Sequence, residues 1–381
     1  MKIVINALSV HSGGGLVSLQ ELLPALREVD KKNEYIVVMA KGQRDIVGEI
    51  PDGIRPYVVN LNYRNVLLRT LFEQFALPVV LWRVGADWLY SLGNQAVLLA
   101  PCKVCVLMEN PTPYSRLPIA WSSREQIRHY LLRVLGRLSC WRATKVRFLT
   151  ENSCRIMSGR LRIPKRKRCI IPHGVRVHQL SFGEDAAEDT IHPPDHYVFT
   201  ASNFYPHKNF QSLMKGFDGF VQGSGYKGSL MIAGAFIDKE YLNDLNELRT
   251  SLQSGARIIF LGWVDPKDLG ILYARADLFV FPSIAETFGI PIIEAMAYGV
   301  PVVASKAMNG FNEYFLPFEE ICGSAAVYFD PFDPEDLAAQ MRRVSSDPKL
   351  RERLVASGKV RAREFSWLAT ATLLSREFSS N

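Results

Sequence analysis

The sequence predicts an α/β protein made of two doubly wound domains, and three observations carry that prediction. Its 381 residues are too many for one ordinary core and suit two. Short apolar runs alternate with helical periodicities along the chain, the order that gives parallel strands covered by helices on both faces. The alternation stops once, in the polar, acidic and Pro-containing stretch 181–195, and then restarts. The expected division is a first domain over 1–180, a linker over 181–195, a second domain over 196–363 and a C-terminal segment over 364–381.

In the first half, strands are expected at Lys2–Asn6, Tyr35–Met39, Pro56–Asn60, Trp88–Ser91, Lys103–Met108, Lys145–Thr150 and Cys169–Pro172. Helical patterns fall at Leu16–Glu28 and near 64–82, 123–139 and 151–159. Between the first strand and first helix lies His11-Ser-Gly-Gly-Gly15, so Gly13, Gly14 and Gly15 are read as a loop through which backbone approaches a phosphate. As a dinucleotide fingerprint the loop is poor: Ser18 stands where a third Gly belongs, and no acid closes the second strand. Asn110 follows a strand end and is expected to border a ligand site. Cys102 and Cys105 form a C-x-x-C in a strand-like run, where alternate side chains point to opposite faces; they are read as core thiols.

The second half repeats the pattern, with strands at His196–Ala201, Ser229–Ala233, Arg257–Leu261, Leu278–Phe281, Val302–Ala304 and Ala325–Phe329. Asp265 and Pro266 suit an N-cap and a first helical position. Asp330, Asp333 and Asp336 suggest a metal cluster, but their Pro-rich spacing before a helix fits turns and caps better.

The most informative stretch is Phe281–Ser305. It reads as strand, loop, helix, turn and strand, with Pro291 opening the helix and Gly299 closing it. Ile292, Ala295, Met296 and Gly299 fall on one face, while Glu294 points off it. Glu286 lies in the preceding loop. Either Glu alone is what a helix start ordinarily carries. Two carboxylates and free backbone N–H groups at the end of a parallel strand make a place for a phosphate and its attached hydroxyls.

The run Glu286-Thr-Phe-Gly-Ile-Pro-Ile-Ile-Glu294-Ala-Met-Ala-Tyr-Gly-Val-Pro-Val-Val resembles the signature of the retaining, nucleotide-sugar-dependent glycosyltransferases of family four. That resemblance implies the GT-B fold: two Rossmann-like domains facing across a cleft, with a C-terminal helix around Phe365–Phe378 crossing back to the first. It implies that Glu286 holds the transferred sugar and Glu294 the ribose hydroxyls. Backbone of Phe288, Gly289 and Ile290 would serve the sugar and distal phosphate, Lys208 the diphosphate and Val264 the base. The chain departs from relatives in carrying Asn203 where an Arg is usual and in lacking a His near Asn110. Retention is usually explained by same-face attack, in which a donor phosphate oxygen takes the acceptor proton and a dedicated protein base is dispensable. No Asp-x-Asp occurs, so no metal is implied. No cofactor is expected beyond the nucleotide sugar as substrate, and the expected partners are that donor and a saccharide or lipid-linked acceptor, as in surface polysaccharide synthesis. A nucleotide-sugar epimerase or phosphorylase on the same fold is the alternative enzyme. A non-catalytic basic protein binding membrane or nucleic acid is the alternative of another class.

A hydrophobic content of 48% and charged content of 22% belong to a globular chain. No apolar run reaches the roughly 18 residues a bilayer span needs. With a first strand beginning at residue 2, the expected location is the cytoplasm, with peripheral attachment to the inner face of the membrane as an addition. The net charge of +7 is concentrated: residues 121–170 hold fourteen Lys and Arg against Glu125 and Glu151, a local balance of +12. That region is a candidate contact for an anionic membrane surface. Nucleic acid is not expected, since no aromatic stacking platform is evident. Within it, Ile127, Leu131 and Leu138 form one stripe of a helix with Arg133 and Arg137 on the other side. An ordinary packed helix with solvated arginines is the plainer reading.

Overall fold

The computed structural model describes residues 1–11, 13–119, 121–175, 191–306 and 314–379. Most of the expected linker, 181–190, lies outside the described residues. The chain forms two compact units: residues 1–115, 120–174 and 365–381 in the first, and 116–119 and 175–364 in the second.

The first unit is a seven-stranded, all-parallel sheet of β1 (Lys2–Asn6), β2 (Glu34–Ala40), β3 (Ile54–Val59), β4 (Trp88–Ser91), β5 (Lys103–Leu107), β6 (Lys145–Phe148) and β7 (Arg168–Ile170), in the order 3-2-1-4-5-6-7. Its helices are α1 (Gly13–Val29), α2 (Arg44–Val47), α3 (Val66–Leu71), α4 (Leu77–Val84), α5 (Ser123–Arg142) and α6 (Glu151–Leu161), with a π turn at Phe72–Ala76 joining α3 to α4. The second unit is a six-stranded parallel sheet of β8 (Tyr197–Ala201), β9 (Ser229–Ala233), β10 (Ile258–Gly262), β11 (Leu278–Phe281), β12 (Val302–Ser305) and β13 (Ala326–Phe329), in the order 10-9-8-11-12-13. Around it lie α7 (Phe210–Ser224), α8 (Lys239–Ser251), α9 (Pro266–Ala274), α10 (Ile290–Tyr298), α11 (Phe318–Cys322), α12 (Pro334–Ser346) and α13 (Pro348–Ala362). The last helix, α14 (Trp367–Ser379), belongs to the first unit: Thr370 Oγ1 donates to the Pro172 carbonyl at 2.9 Å and Ser375 Oγ to Asp30 Oδ2 at 2.6 Å.

Strands buried on both faces read as continuous apolar runs, which is why their positions were legible; β1, β2 and β8 are almost wholly inaccessible. In the second unit Phe210, Phe217, Phe220, Leu230, Ile232 and Leu337 form the core between sheet and helices. Burying each such side chain contributes about 1.5–3 kcal/mol. Gly216 brings α7 close to α12, since a Cβ there would lie 2.6 Å from Leu337 Cδ2.

Three local expectations are corrected. Gly14 and Gly15 belong to the first turn of α1 rather than to a loop, and Gly13, with a left-handed φ of 63°, makes the turn at which the helix starts. Ile127, Leu131 and Leu138 do not pack inward; α5 buries Gly136, Ser139 and Cys140 instead. Cys105 is a core thiol, but Cys102 precedes β5 and is only half-buried. Asp265 and Asp333 cap α9 and α12 through backbone N–H groups, and Asp330 accepts from Phe332 N at 2.9 Å, a turn role. Among the described residues no helix is long and apolar enough to cross a membrane.

Candidate active site

In the second sheet the strand order runs 8-9-10 to one side and 11-12-13 to the other, so the winding reverses between β8 and β11. Ligands of open α/β sheets bind beyond the carboxyl ends of strands at such a reversal. The loops after β8 and β11 carry Lys208 and Glu286, 78 residues apart in sequence, and the structure joins them in an ion pair. Both side chains are about 15% exposed, so the pair is shielded but open to a ligand. Ser283 Oγ donates to Glu286 Oε1 at 3.3 Å.

Asn209 holds these loops in register. Its Nδ2 donates to the carbonyls of Pro282 at 3.2 Å and Pro331 at 2.7 Å, and its own backbone is left-handed, with φ of 57°. Asn tolerates that conformation better than most side chains do. Ile284 N adds a bond to the His207 carbonyl at 2.9 Å, and Glu286 N donates to the Phe315 carbonyl at 2.7 Å. Lys208 also ends the short turn that leads into α7.

Glu294 is in the second turn of α10 and does not simply point to solvent. It is half-buried, and Tyr273 Oη donates to its Oε2 at 2.8 Å. Burial pushes its carboxyl up to about 7, and the Tyr273 bond opposes that rise. Gly289 is the N-cap of α10 with φ of 108°, and no side chain caps the helix. A Cβ at Gly289 would lie 3.1 Å from Phe318, so both conformation and space require Gly. Phe288 is buried, leaving its backbone as the part that can serve a ligand, and Ile290 begins α10. Val264 is half-buried between β10 and α9. Asn203 Oδ1 accepts from Ala235 N at 3.0 Å, which ties the loop after β8 to the loop after β9.

The first unit presents a different cluster. A small hollow beyond the ends of β1, β4 and β5 is lined by Gly15, Ser18, Tyr90, Glu109, Arg147 and His173. Asn110 itself is exposed, and its Oδ1 caps a turn by accepting from Thr112 N at 3.0 Å; its neighbour Glu109 is the residue that reaches the hollow. Burial raises the Glu109 carboxyl, and the Arg147 guanidinium opposes the rise. Burial, then the same guanidinium, hold His173 well below its usual pKa, so its ring is neutral at pH 7. The Glu109 Oε2 to His173 Nε2 separation is 4.0 Å. Arg147 is fully buried and donates to the carbonyls of Ile171 at 3.0 Å and Pro172 at 3.1 Å and to the Tyr90 hydroxyl. Asn94 fixes Glu109 by accepting its N–H at 2.7 Å.

The second unit thus offers a cation, a carboxylate and an uncapped helix start for a phosphate bearing hydroxyls, with Glu294 one helical turn further on. Among the residues not foreseen, Asn209 carried a weak signal as an Asn before a helix. His173 stood in a Pro-His-Gly turn. Glu109 lies in the run Glu109-Asn110-Pro111 that was expected to border a ligand site. Arg147 gave none, since an Arg inside a strand reads as edge or surface.

Residues 182–361 match the family model described as glycosyl transferases group 1. The chain is 33% identical over 174 residues to O-antigen chain mannosyltransferase B of Escherichia coli, which is 45% of this chain and 42% of that protein. It spans less than half the length of the curated relatives it matches. Among solved structures it resembles sucrose-phosphate synthase of Thermosynechococcus elongatus, with a TM-score of 0.76 at 17% identity over 100% of this chain and 98% of that one. It also resembles HepE of Anabaena solved with UDP-glucose, with a TM-score of 0.74 at 18% identity over the whole of both chains. The fold is GT-B.

Proposed function

We propose that the chain, whose residues 182–361 match the glycosyl transferases group 1 model, is a glycosyltransferase that moves a hexose from a nucleotide-diphosphate sugar to a glycan or lipid-linked saccharide with retention of configuration. The observation that carries this reading is the Lys208–Glu286 pair at the winding reversal of the second sheet. A mannosyl group is the favoured cargo, by similarity to the O-antigen mannosyltransferase.

When the donor enters, the diphosphate takes over the Lys208 ammonium and the helix starts, and the released Glu286 carboxylate accepts from hydroxyls of the sugar. Glu294 accepts from the ribose. Backbone at Phe288, Gly289 and Ile290 lies against the sugar and distal phosphate, and Val264 against the base. Asn203 keeps its loop-bracing bond and leaves the phosphate to Lys208. The anomeric C–O bond to phosphate breaks as positive charge develops on the ring; the acceptor hydroxyl oxygen bonds to the same face, and its proton passes to the departing diphosphate oxygen. Fixed cations and helix starts favour the departing anion without reorganising. In the first unit the hollow lined by Gly15, Glu109 and His173 is of water size, about 10 Å³, so the acceptor lies outside it.

Melting curves with UDP, GDP, ADP and their sugars identify the donor, since a bound ligand raises the transition by mass action. Glu286→Ala should keep its fold and lose transfer by about 10²-fold or more. Turnover equal to the parent, or no shift with any nucleotide, overturns the proposal; an inverted anomeric centre in the product overturns retention alone.

A further inference from the structure

A surface amphipathic helix normally turns its apolar stripe to the protein. Helix α5 does the reverse. It fastens to the first unit through Gly136, Ser139 and Cys140, and a Cβ on Gly136 would collide with the Tyr114 hydroxyl. Ile127, Leu131, Val134, Leu135, Leu138 and Trp141, spaced three and four apart, are all exposed, Trp141 to 77%. A second outward stripe runs along α3, the π turn and α4 as Leu68, Leu71, Phe75, Val79 and Trp82, the last 73% exposed.

The two stripes flank one intervening segment, to which both elements bond. Gln74 exchanges hydrogen bonds with Ala96 O at 3.0 Å and Leu98 N at 2.9 Å. From the other side Ser139 Oγ accepts from Ala96 N at 2.9 Å, and Arg142 Nε donates to Leu98 O at 3.1 Å. Leu99, in that segment, is itself 63% exposed. This many exposed large apolar side chains around one segment mark a docking surface.

Charge selects the occupant. Arg124, Arg128, Arg133 and Arg137 are exposed along α5, whose one acid is Glu125; Arg64 and Arg83 are exposed beside the other stripe, where Glu73 is buried. Aliphatic stripes edged by arginines and ending in tryptophans suit the boundary between acyl chains and anionic headgroups. A second copy of the chain would set these arginines against their like, and a nucleic acid would leave the aliphatic surface in water. We infer that the first unit docks on an anionic lipid bilayer through the outward faces of α3, α4 and α5. This does not depend on the proposed reaction.

The test is co-sedimentation of the full chain with phosphatidylcholine vesicles, with and without about a third phosphatidylglycerol. The protein should partition into the anionic vesicles at least about tenfold more than into neutral ones, and less as salt rises. Leu131→Glu with Leu135→Glu should lower that partition by about tenfold or more with an unchanged melting temperature. Arg128→Glu with Arg133→Glu should weaken the salt-dependent part. If the first pair fails to fold, Trp82→Ser with Trp141→Ser serves the same purpose. Absent vesicle binding, or binding by the stripe variants equal to the parent, overturns the inference. So does stripe-dependent self-association, or RNA binding, in a chain that ignores vesicles.

Discussion

Glu294 shows what a single residue adds to the reading. In the unfolded chain its carboxyl titrates near 4.5, and in the folded, ligand-free chain near 7. Between those values the folded chain holds the extra proton, so the stability this group confers falls as pH rises through the window. If Glu294 holds the ribose as proposed, the ribose hydroxyls donate more strongly to the ionised carboxylate than to the protonated acid, and nucleotide binding should release a proton. Affinity should therefore tighten from pH 6 to pH 8, by up to about tenfold per pH unit below the carboxyl's pKa. Titration calorimetry in buffers of different ionisation enthalpy reads both effects, and Glu294→Gln should flatten them. Lys208→Met should weaken donor binding and lower turnover by about 10²-fold, with a smaller effect on melting than on the reaction. A loss confined to melting temperature would assign Lys208 a structural part only. The pairing of Lys208 with Glu286 was not legible in the sequence, because nothing local relates two residues 78 positions apart.

At the scale of elements, the proposed ligand contacts of the second unit rest on helix starts. Gly289→Ala would put a side chain at φ of 108° and a Cβ 3.1 Å from Phe318. The expected cost is about 1–2 kcal/mol of stability from the backbone alone, with a raised KM for the donor, checked by denaturant melts and initial rates. Asn209→Ala should cost about 2–3 kcal/mol by deleting two bonds to loop carbonyls, and Asn209→Gly should recover the backbone part. The strand, turn and cap residues of this region were legible because their signals are local: an apolar run, Pro291 early in the helix and Gly299 after it. The first turn of α1 was not, since three glycines read as loop while the structure starts the helix at them.

For the molecule as a whole, the last helix completes the first unit from the far end of the chain. Phe378 is 2% exposed and packs against Trp88 at 5.5 Å and Tyr90 at 6.1 Å between ring centroids. Phe378→Ala should cost about 3–5 kcal/mol. In calorimetry the loss should fall on the transition that nucleotide does not shift. A uniform loss in both transitions would mean that the two units unfold together. Charge is also a property of this scale: the +12 balance of residues 121–170 was plain from counting. Its meaning was not, because Arg147 from that count is wholly buried under three hydrogen bonds while Arg124, Arg128, Arg133 and Arg137 of α5 are exposed.

The sequence by itself determined the two doubly wound sheets, nearly every strand, and the motif from Glu286 to Glu294. These are short-range properties, written in runs, caps and spacing within a few turns of chain. Only the tertiary structure brought Lys208 to Glu286, Tyr273 to Glu294, and Glu109 to Arg147 and His173, since each meeting is made by strand order and loop closure. It also decided which way α5 faces. Periodicity defines a stripe on a helix, but whether that stripe meets a core or open solvent depends on the elements beside it. Here Gly136, Ser139 and Cys140 gave the close contact, and the leucines were left outside.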